Sequence, residues 1–304
     1  MSRRMILLLS LGGPRSDTEI PFFLKNLTGR TPTPAFLADA ARRYEAIGGF
    51  SPLPAITEEL AQHVTSRMNT MGESPVKAAF LYAHPTIAEA VLECKGSRVA
   101  EILFFVLSPF YTTRTTGTLL KAAEEALSSL SSHYTPVTRF VHSWYSQPPF
   151  IEWWAKEVRS SLQCSRKAFP LFSAHSMPAA PENSLYRSQV EEAVGLVADR
   201  ADVSSYALAW QSKPQRAVEE WFGPTVEQLL SSLADRGTTN VVQIPIGFLI
   251  ENLETLYDID IVHKRYAEGL GLGHQRLPCP NADSIWADAL SSILSSLSSS
   301  REIH

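Results

Sequence analysis

Short apolar runs set apart by longer stretches of helical periodicity constrain the fold of this chain more than any other feature. The runs lie at 5–11 (MILLLSL), 76–82 (VKAAFLY), 100–107 (AEILFFVL), 136–142 (PVTRFVH), 169–174 (FPLFSA), 203–209 (VSSYALA) and 241–246 (VVQIPI). In several of them apolar residues occupy consecutive positions, the pattern of parallel strands covered on both faces. Helical patterns run over 55–70, 85–95, 115–131, 181–199, 225–236 and 252–267. Strand–helix alternation of this kind predicts a doubly wound α/β protein. Seven or eight strands over 304 residues suit two sheets of about four better than one. The stretch 284–300 ends in LSSILSSLSSS, whose Leu and Ile spacing gives a one-sided apolar stripe and predicts a closing helix.

Charge narrows the partners. Lys and Arg number 27 against 31 Asp and Glu, a formal charge of −4. Nucleic acid as the main partner would need concentrated positive charge, so it is excluded. Cys94, Cys164 and Cys279 lie far apart with no CxxC pair. They support neither a disulfide framework nor a zinc or iron–sulfur site, and point to a reducing, cytoplasmic setting. Ser2-Arg3-Arg4 before Met5–Leu9 is a faint echo of a secretion signal. The apolar run is minimal and ends in Gly12-Gly13-Pro14 without a small-x-small cleavage pattern, so it reads as a buried first strand. No stretch reaches the ~18–20 apolar residues of a membrane span, and a soluble protein is expected.

The unusual residues fall at strand ends. Gly12-Gly13-Pro14 follows the first run and 108–118 (SPFYTTRTTGT) the third. His175-Ser176 follows the fifth, Trp210-Gln211-Ser212 the sixth, and 251–254 the seventh. Open α/β sheets build ligand crevices at these carboxyl ends. Two sheets facing each other would line one cleft, suited to a sizeable ligand. His175 leaves a buried strand among Ser173, Ser176 and Pro178, a placement that favours a working histidine over a satisfied core one. Glu251, Glu254 and Asp258 stand at spacings three and four, which puts them on one face of the helix they open, with Asp260 pointing elsewhere. Like charges in a cleft disfavour joint ionisation. A row of carboxylates facing a histidine is what proton removal and divalent-metal handling need. The loop at 12–14 carries neither GxGxxG nor GxxxxGK[ST] and is no nucleotide signature. Thr112–Gly117 fits anion binding or plain capping, and His84-Pro85 fits a helix start or a metal ligand.

Taken together the segments resemble the ferrochelatase family, whose members insert ferrous iron into a porphyrin to make haem. The likeness runs through LLLSLGGP (7–14), RRYEAIGGFSPL (42–53), YAHPTIAEAV (82–91), the SPFYTTRTTG loop, FSAHSMP (172–178), LAWQSK (208–213) and PIGFLIENLETLYDID (245–260), in the family's order over nearly the whole chain. It implies a chelatase-like fold of two similar Rossmann-like domains, each with a four-stranded parallel sheet flanked by helices, and an active-site cleft between them. On that basis residues 1–113 with 280–304 make the first domain and 114–279 the second. The resemblance puts the catalytic pair on His175 and Glu254. Metal handling maps to the same two with Asp258 and Glu251. Porphyrin contacts map to Leu11, Arg30, Arg43, Tyr44, Ser51 and Trp210, and cleft walls to Trp210 and the segment around Phe22, Phe23 and Leu24.

The implied protein is a haem-biosynthetic lyase whose partners are porphyrin and ferrous iron, the iron being substrate. No prosthetic group and no iron–sulfur cluster are expected. A monomer or weak dimer is implied, with at most peripheral membrane contact through Phe22 and Phe23. Where most relatives carry Asp-His this chain has Glu251-Asn252, and Asn252 cannot carry a proton. GRTPTP (29–34) is shared with coproporphyrin ferrochelatases, yet their tyrosine and basic residues are replaced near Leu11 and Leu27-Thr28. Protoporphyrin IX and coproporphyrin III therefore both stand as substrates. The alternatives are a chelatase for cobalt, nickel or sirohydrochlorin, and a haem binder without chemistry.

Overall fold

The computed structural model describes residues 4–70, 75–130, 133–165, 167–214 and 218–299. Ser2 and Arg3 of the basic start, position 131 of one expected helix and position 300 of the closing helix lie outside the described residues. The chain forms two compact units, Met1–Trp144 with Pro280–His304, and Tyr145–Cys279.

In the first unit β1 (Arg4–Ser10), β2 (Val76–Phe80), β3 (Glu101–Val106) and β4 (Val137–Val141) form a parallel sheet in the order β2-β1-β3-β4. Burial dictates the central places: all five inner residues of β1 are buried, as are Ile102–Val106 of β3. Helices α1 (Ile20–Thr28), α2 (Pro34–Glu45), α3 (Leu53–Thr70), α4 (Ile87–Gly96) and α5 (Thr118–Ser128) belong to this unit. Leu7, Leu9, Ile102, Phe104 and Val106 pack against Ile87, Val91 and Cys94 of α4 and Leu119 and Ala123 of α5. Thr86 starts α4 with a capping box, exchanging hydrogen bonds with Glu89.

The second unit repeats the scheme. Here β5 (Ala168–His175), β6 (Ala207–Gln211), β7 (Asn240–Ile244) and β8 (Gly273–Arg276) run parallel in the order β6-β5-β7-β8. The accompanying helices are α6 (Pro148–Cys164), α7 (Ser184–Ala201), α8 (Val226–Asp235) and α9 (Lys264–Gly269). In each sheet the strand order reverses between the first and third strands of the unit, and crevices open at such switch points. Helix α10 (Ser284–Ser299) rejoins the first unit, where Arg67 of α3 pairs with Asp288 and donates to Ser284 O at 2.9 Å. Among the described residues no helix is long and apolar enough to cross a membrane.

Two expectations shift, and one strand falls outside the apolar runs. The units divide at Trp144–Tyr145 rather than after residue 113, because α5 packs on the first core and β4 pairs with β3. The sixth strand starts at Ala207, not 203: Ser204 and Ser205 are exposed, and pairing to β5 runs from Leu171↔Ala207 to His175↔Gln211. The eighth strand, Gly273–Arg276, has no apolar residue to announce it. It exists because β7 offers an edge, with register Asn240↔Gly273.

Candidate active site

His175 is the last residue of β5, half-buried. Tyr186 of α7 donates its hydroxyl to His175 O at 3.0 Å, and Ser176 N donates to Gln211 O at 2.8 Å, fixing the strand end. The imidazole Nδ1 lies 2.5 Å from Ser176 O. A carbonyl has no proton to give, so Nδ1 is the donor and neutral His175 keeps its lone pair on Nε2. Gly247 lets the chain after β7 cross close behind this end, since a Cβ there would meet Ala174 Cα and Cβ at 3.1 Å.

After β7 the chain reaches a π-helical segment, Glu254–His263, that continues into α9. The first expected carboxylate, Glu251, stands before this helix rather than on it. It is buried, and its Oε1 accepts from Arg276 Nη1 (2.8 Å) and Cys279 N (3.1 Å). Its Oε2 accepts from Thr255 Oγ1 at 2.5 Å. Asp258 accepts from Ser212 Oγ at 2.6 Å, an arrangement for which Ser212 adopts φ 61°, a left-handed conformation uncommon outside glycine. Asp260 turns away to Arg276. Glu254 alone of the acidic set makes no hydrogen bond or ion pair among the described residues. The three carboxylates thus do not share one helix face, and no three His, Cys, Asp or Glu among the described residues gather into a metal cluster.

Asn252 has a role the sequence reading missed. Its Oδ1 accepts from Thr255 N and its own N–H donates to Thr255 Oγ1, both at 3.0 Å. That is helix capping, a job asparagine does well. Behind the site lies a second missed feature, a buried polar knot. Gln243 of β7 donates to Ser173 Oγ at 2.9 Å and approaches His263 Nδ1 at 3.3 Å, while His274 Nε2 meets Gln243 Oε1 at 3.0 Å. Gln243 O ε1 can only accept, so His274 is protonated at Nε2. Burial pushes the His274 pKa down to about 4, with the neighbouring His263 adding to the shift. Burial lowers His263 too, against the opposing pull of Glu227 and Asp258. The signal available in sequence was one glutamine inside the apolar run VVQIPI.

Trp210 is a core residue, 2% exposed, with ring centroids 5.0 Å from Phe222 and 5.9 Å from Tyr186. In the first unit, Leu11 packs against the core and its carbonyl accepts from Tyr82 N at 2.9 Å. Gly12 takes φ 83°, and a Cβ on Gly13 would meet Ser51 Oγ at 2.6 Å. Ser51, buried, donates its N–H to Pro14 O at 2.8 Å. These contacts bring 11–14 and 51 together at the carboxyl end of β1. Tyr44 is buried on α2, Arg43 half-buried, and Arg30 exposed just past α1. Phe23 and Leu24 are buried, leaving Phe22 as the exposed member of its segment. Thr112 caps the turn Thr113–Gly117 by accepting from Thr115 N at 2.9 Å. His84 is exposed and pairs with Glu89 at 2.9 Å.

The ferrochelatase family model matches residues 3–297. The chain belongs to the ferrochelatase family. It is 32% identical over 301 residues to the coproporphyrin III ferrochelatase of Geobacillus kaustophilus, covering 95% of this chain and 94% of that one. Against the coproporphyrin III ferrochelatase of Bacillus subtilis the identity is 32% over 308 residues, 97% and 98% of the two chains. Two solved structures share the fold at low identity. SirB from Bacillus subtilis with Fe3+ has TM-score 0.59 and 12% identity over 97% and 95% of the chains. CbiX, described as the terminal enzyme of sirohaem biosynthesis in denitrifying bacteria, has TM-score 0.57 and 13% identity over 97% and 98%. For this ferrochelatase-family chain the two-sheet chelatase-like fold is therefore established.

Proposed function

We propose that this chain inserts ferrous iron into a porphyrin on the way to haem, with coproporphyrin III as the preferred ring. The observation that carries the reading is that two uncommitted groups, one at the end of β5 and one on the π-helical segment, stand within a family match spanning nearly the whole chain. His175 keeps Nε2 open because Nδ1 is pinned, and Glu254 keeps a carboxylate without a partner.

Iron enters a porphyrin only as the two pyrrole N–H protons leave. His175 Nε2 accepts these protons one at a time, releasing the first to solvent before it takes the second, as a neutral imidazole held in one tautomer can. Glu254 takes the divalent iron through its carboxylate and hands it to the ring, with Asp258 next in line on the π-helical segment. Leu11, Arg30, Arg43, Tyr44 and Ser51 are assigned to the macrocycle and its propionates. Trp210 serves from within the core by backing the strand end, and Phe22 supplies the exposed apolar contact. Strain on the ring draws on such remote contacts. The coproporphyrin preference rests on the names of the relatives; the uncharged Leu27-Thr28 favours protoporphyrin IX as the second candidate.

Anaerobic insertion assays with purified protein, Fe²⁺, and coproporphyrin III, protoporphyrin IX or sirohydrochlorin decide the matter. Fastest loss of the metal-free spectrum is expected with coproporphyrin III. Preference for sirohydrochlorin, or no acceleration over the no-enzyme control with any ring, would overturn the reading.

A further inference from the structure

We propose that Arg276 is a positioning residue for Glu254, and that Glu251 is the buried half of its clamp rather than a metal ligand. This rests on the reading of Glu254 as the metal-handling carboxylate.

Glu254 has no partner of its own, so its placement depends on the backbone around it. Arg276, on the edge strand β8, fastens that backbone on both sides. Nε and Nη2 bind Asp260 in a two-pronged pair at 2.7 and 2.8 Å. Nη1 reaches Glu251 Oε1 at 2.8 Å, and the side chains of Arg276 and Glu251 are each only 10% exposed. Glu251 passes the hold to Thr255, the residue after Glu254, through the 2.5 Å bond to its Oγ1. Thr255 is in turn locked to Asn252 by the exchanged pair of hydrogen bonds. The bonds that hold Glu251, Thr255 and Asp260 around Glu254 thus trace back to one guanidinium. Burial opposes the charge on Arg276, but the carboxylates of Asp260 and Glu251 outweigh it and hold its pKa above the ordinary arginine value. Both oxygens of Glu251 are already occupied by donors, among them Arg276 Nη1, Cys279 N and Thr255 Oγ1, which leaves it poorly placed to bind a cation. A planar fork is needed to serve two carboxylates at once, and lysine cannot supply it.

The test uses the full chain and Co²⁺ alone as probe, followed by its visible absorption, with Glu254→Ala defining the signal from this site. Arg276→Lys keeps the charge and loses the fork; it is expected to weaken Co²⁺ binding on the order of tenfold, as loss of outer partners does at metal sites. Glu251→Gln, a milder variant, should weaken it in the same direction, and the double variant should be no weaker than Arg276→Lys. In turnover the KM for Fe²⁺ should rise while the KM for porphyrin stays within about twofold, a split that general destabilisation would not produce. Wild-type affinity in Arg276→Lys would overturn the proposal, as would loss of Co²⁺ binding in Glu251→Gln as complete as in Glu254→Ala. Absence of a Glu254-dependent Co²⁺ signal in the wild type would also overturn it. Wild-type Co²⁺ binding without turnover on any porphyrin would instead sink the proposed function and leave the clamp tested by affinity.

Discussion

Asn252 and Thr255 hold each other by reciprocal hydrogen bonds, side chain to backbone in both directions, at the start of the π-helical segment that carries Glu254. Asn252 is thus a cap. Asn252→Ala removes the acceptor from Thr255 N and should lower stability by about 1 kcal/mol. Asn252→Asp should retain most of it. Urea unfolding of the three proteins checks this; equal midpoints for wild type and Asn252→Ala would show that the cap is idle.

His175→Ala and Glu254→Ala should each reduce insertion to the no-enzyme rate while leaving the circular dichroism spectrum unchanged. Neither side chain supports the core: His175 contributes its imidazole to one local bond and Glu254 to none. Turnover retained in both variants would remove the pair from the chemistry.

The buried histidines set an acid limit. A histidine held neutral by burial has a folded pKa below its unfolded one, so its contribution is intact above the unfolded value near 6.5 and disappears as pH falls toward the folded one. With His274 at about 4 the loss lies between pH 6.5 and 4 and amounts to roughly 3 kcal/mol, with His263 shifting in the same sense. Denaturation midpoints measured across that range should fall in the wild type. In His274→Gln the fall should be shallower, and an identical slope would exclude His274 as its source.

Gln243→Leu leaves Ser173, His263 and His274 without the amide that joins them, and a buried group stripped of its partner costs about 1–3 kcal/mol. Thermal melts report it. An unchanged melting temperature would mean that the knot relaxes onto other partners.

Much of this architecture was legible because burial writes itself into the residues. The runs MILLLSL and AEILFFVL are central strands for the same reason that they read as strands: both faces are covered. His175 was legible as a histidine at the mouth of such a run. The edge strand Gly273–Arg276 was not, since an edge needs no apolar residue and its existence depends on Asn240 thirty-odd positions away in sequence. Glu251, Glu254 and Asp258 show a different limit. Spacing counts assume an α-helix, whereas a helix closed by i→i+5 bonds rotates each residue less and redistributes its faces. Nor can spacing reveal that Arg276 has claimed Glu251, because that contact is made by a residue 25 positions downstream.

Helix α10 has a bearing on how the protein is made. Trp286, Leu290, Ile293 and Leu294 are wholly buried, and the helix docks on α3, some two hundred residues earlier. The second unit is one uninterrupted stretch, Tyr145–Cys279, and emerges from the ribosome complete. The first unit, although its strands are synthesised at the outset, must wait for the final helix before its core is sealed. Order of synthesis and order of completion are therefore reversed, and the nascent chain carries an unfinished first unit while the second one folds.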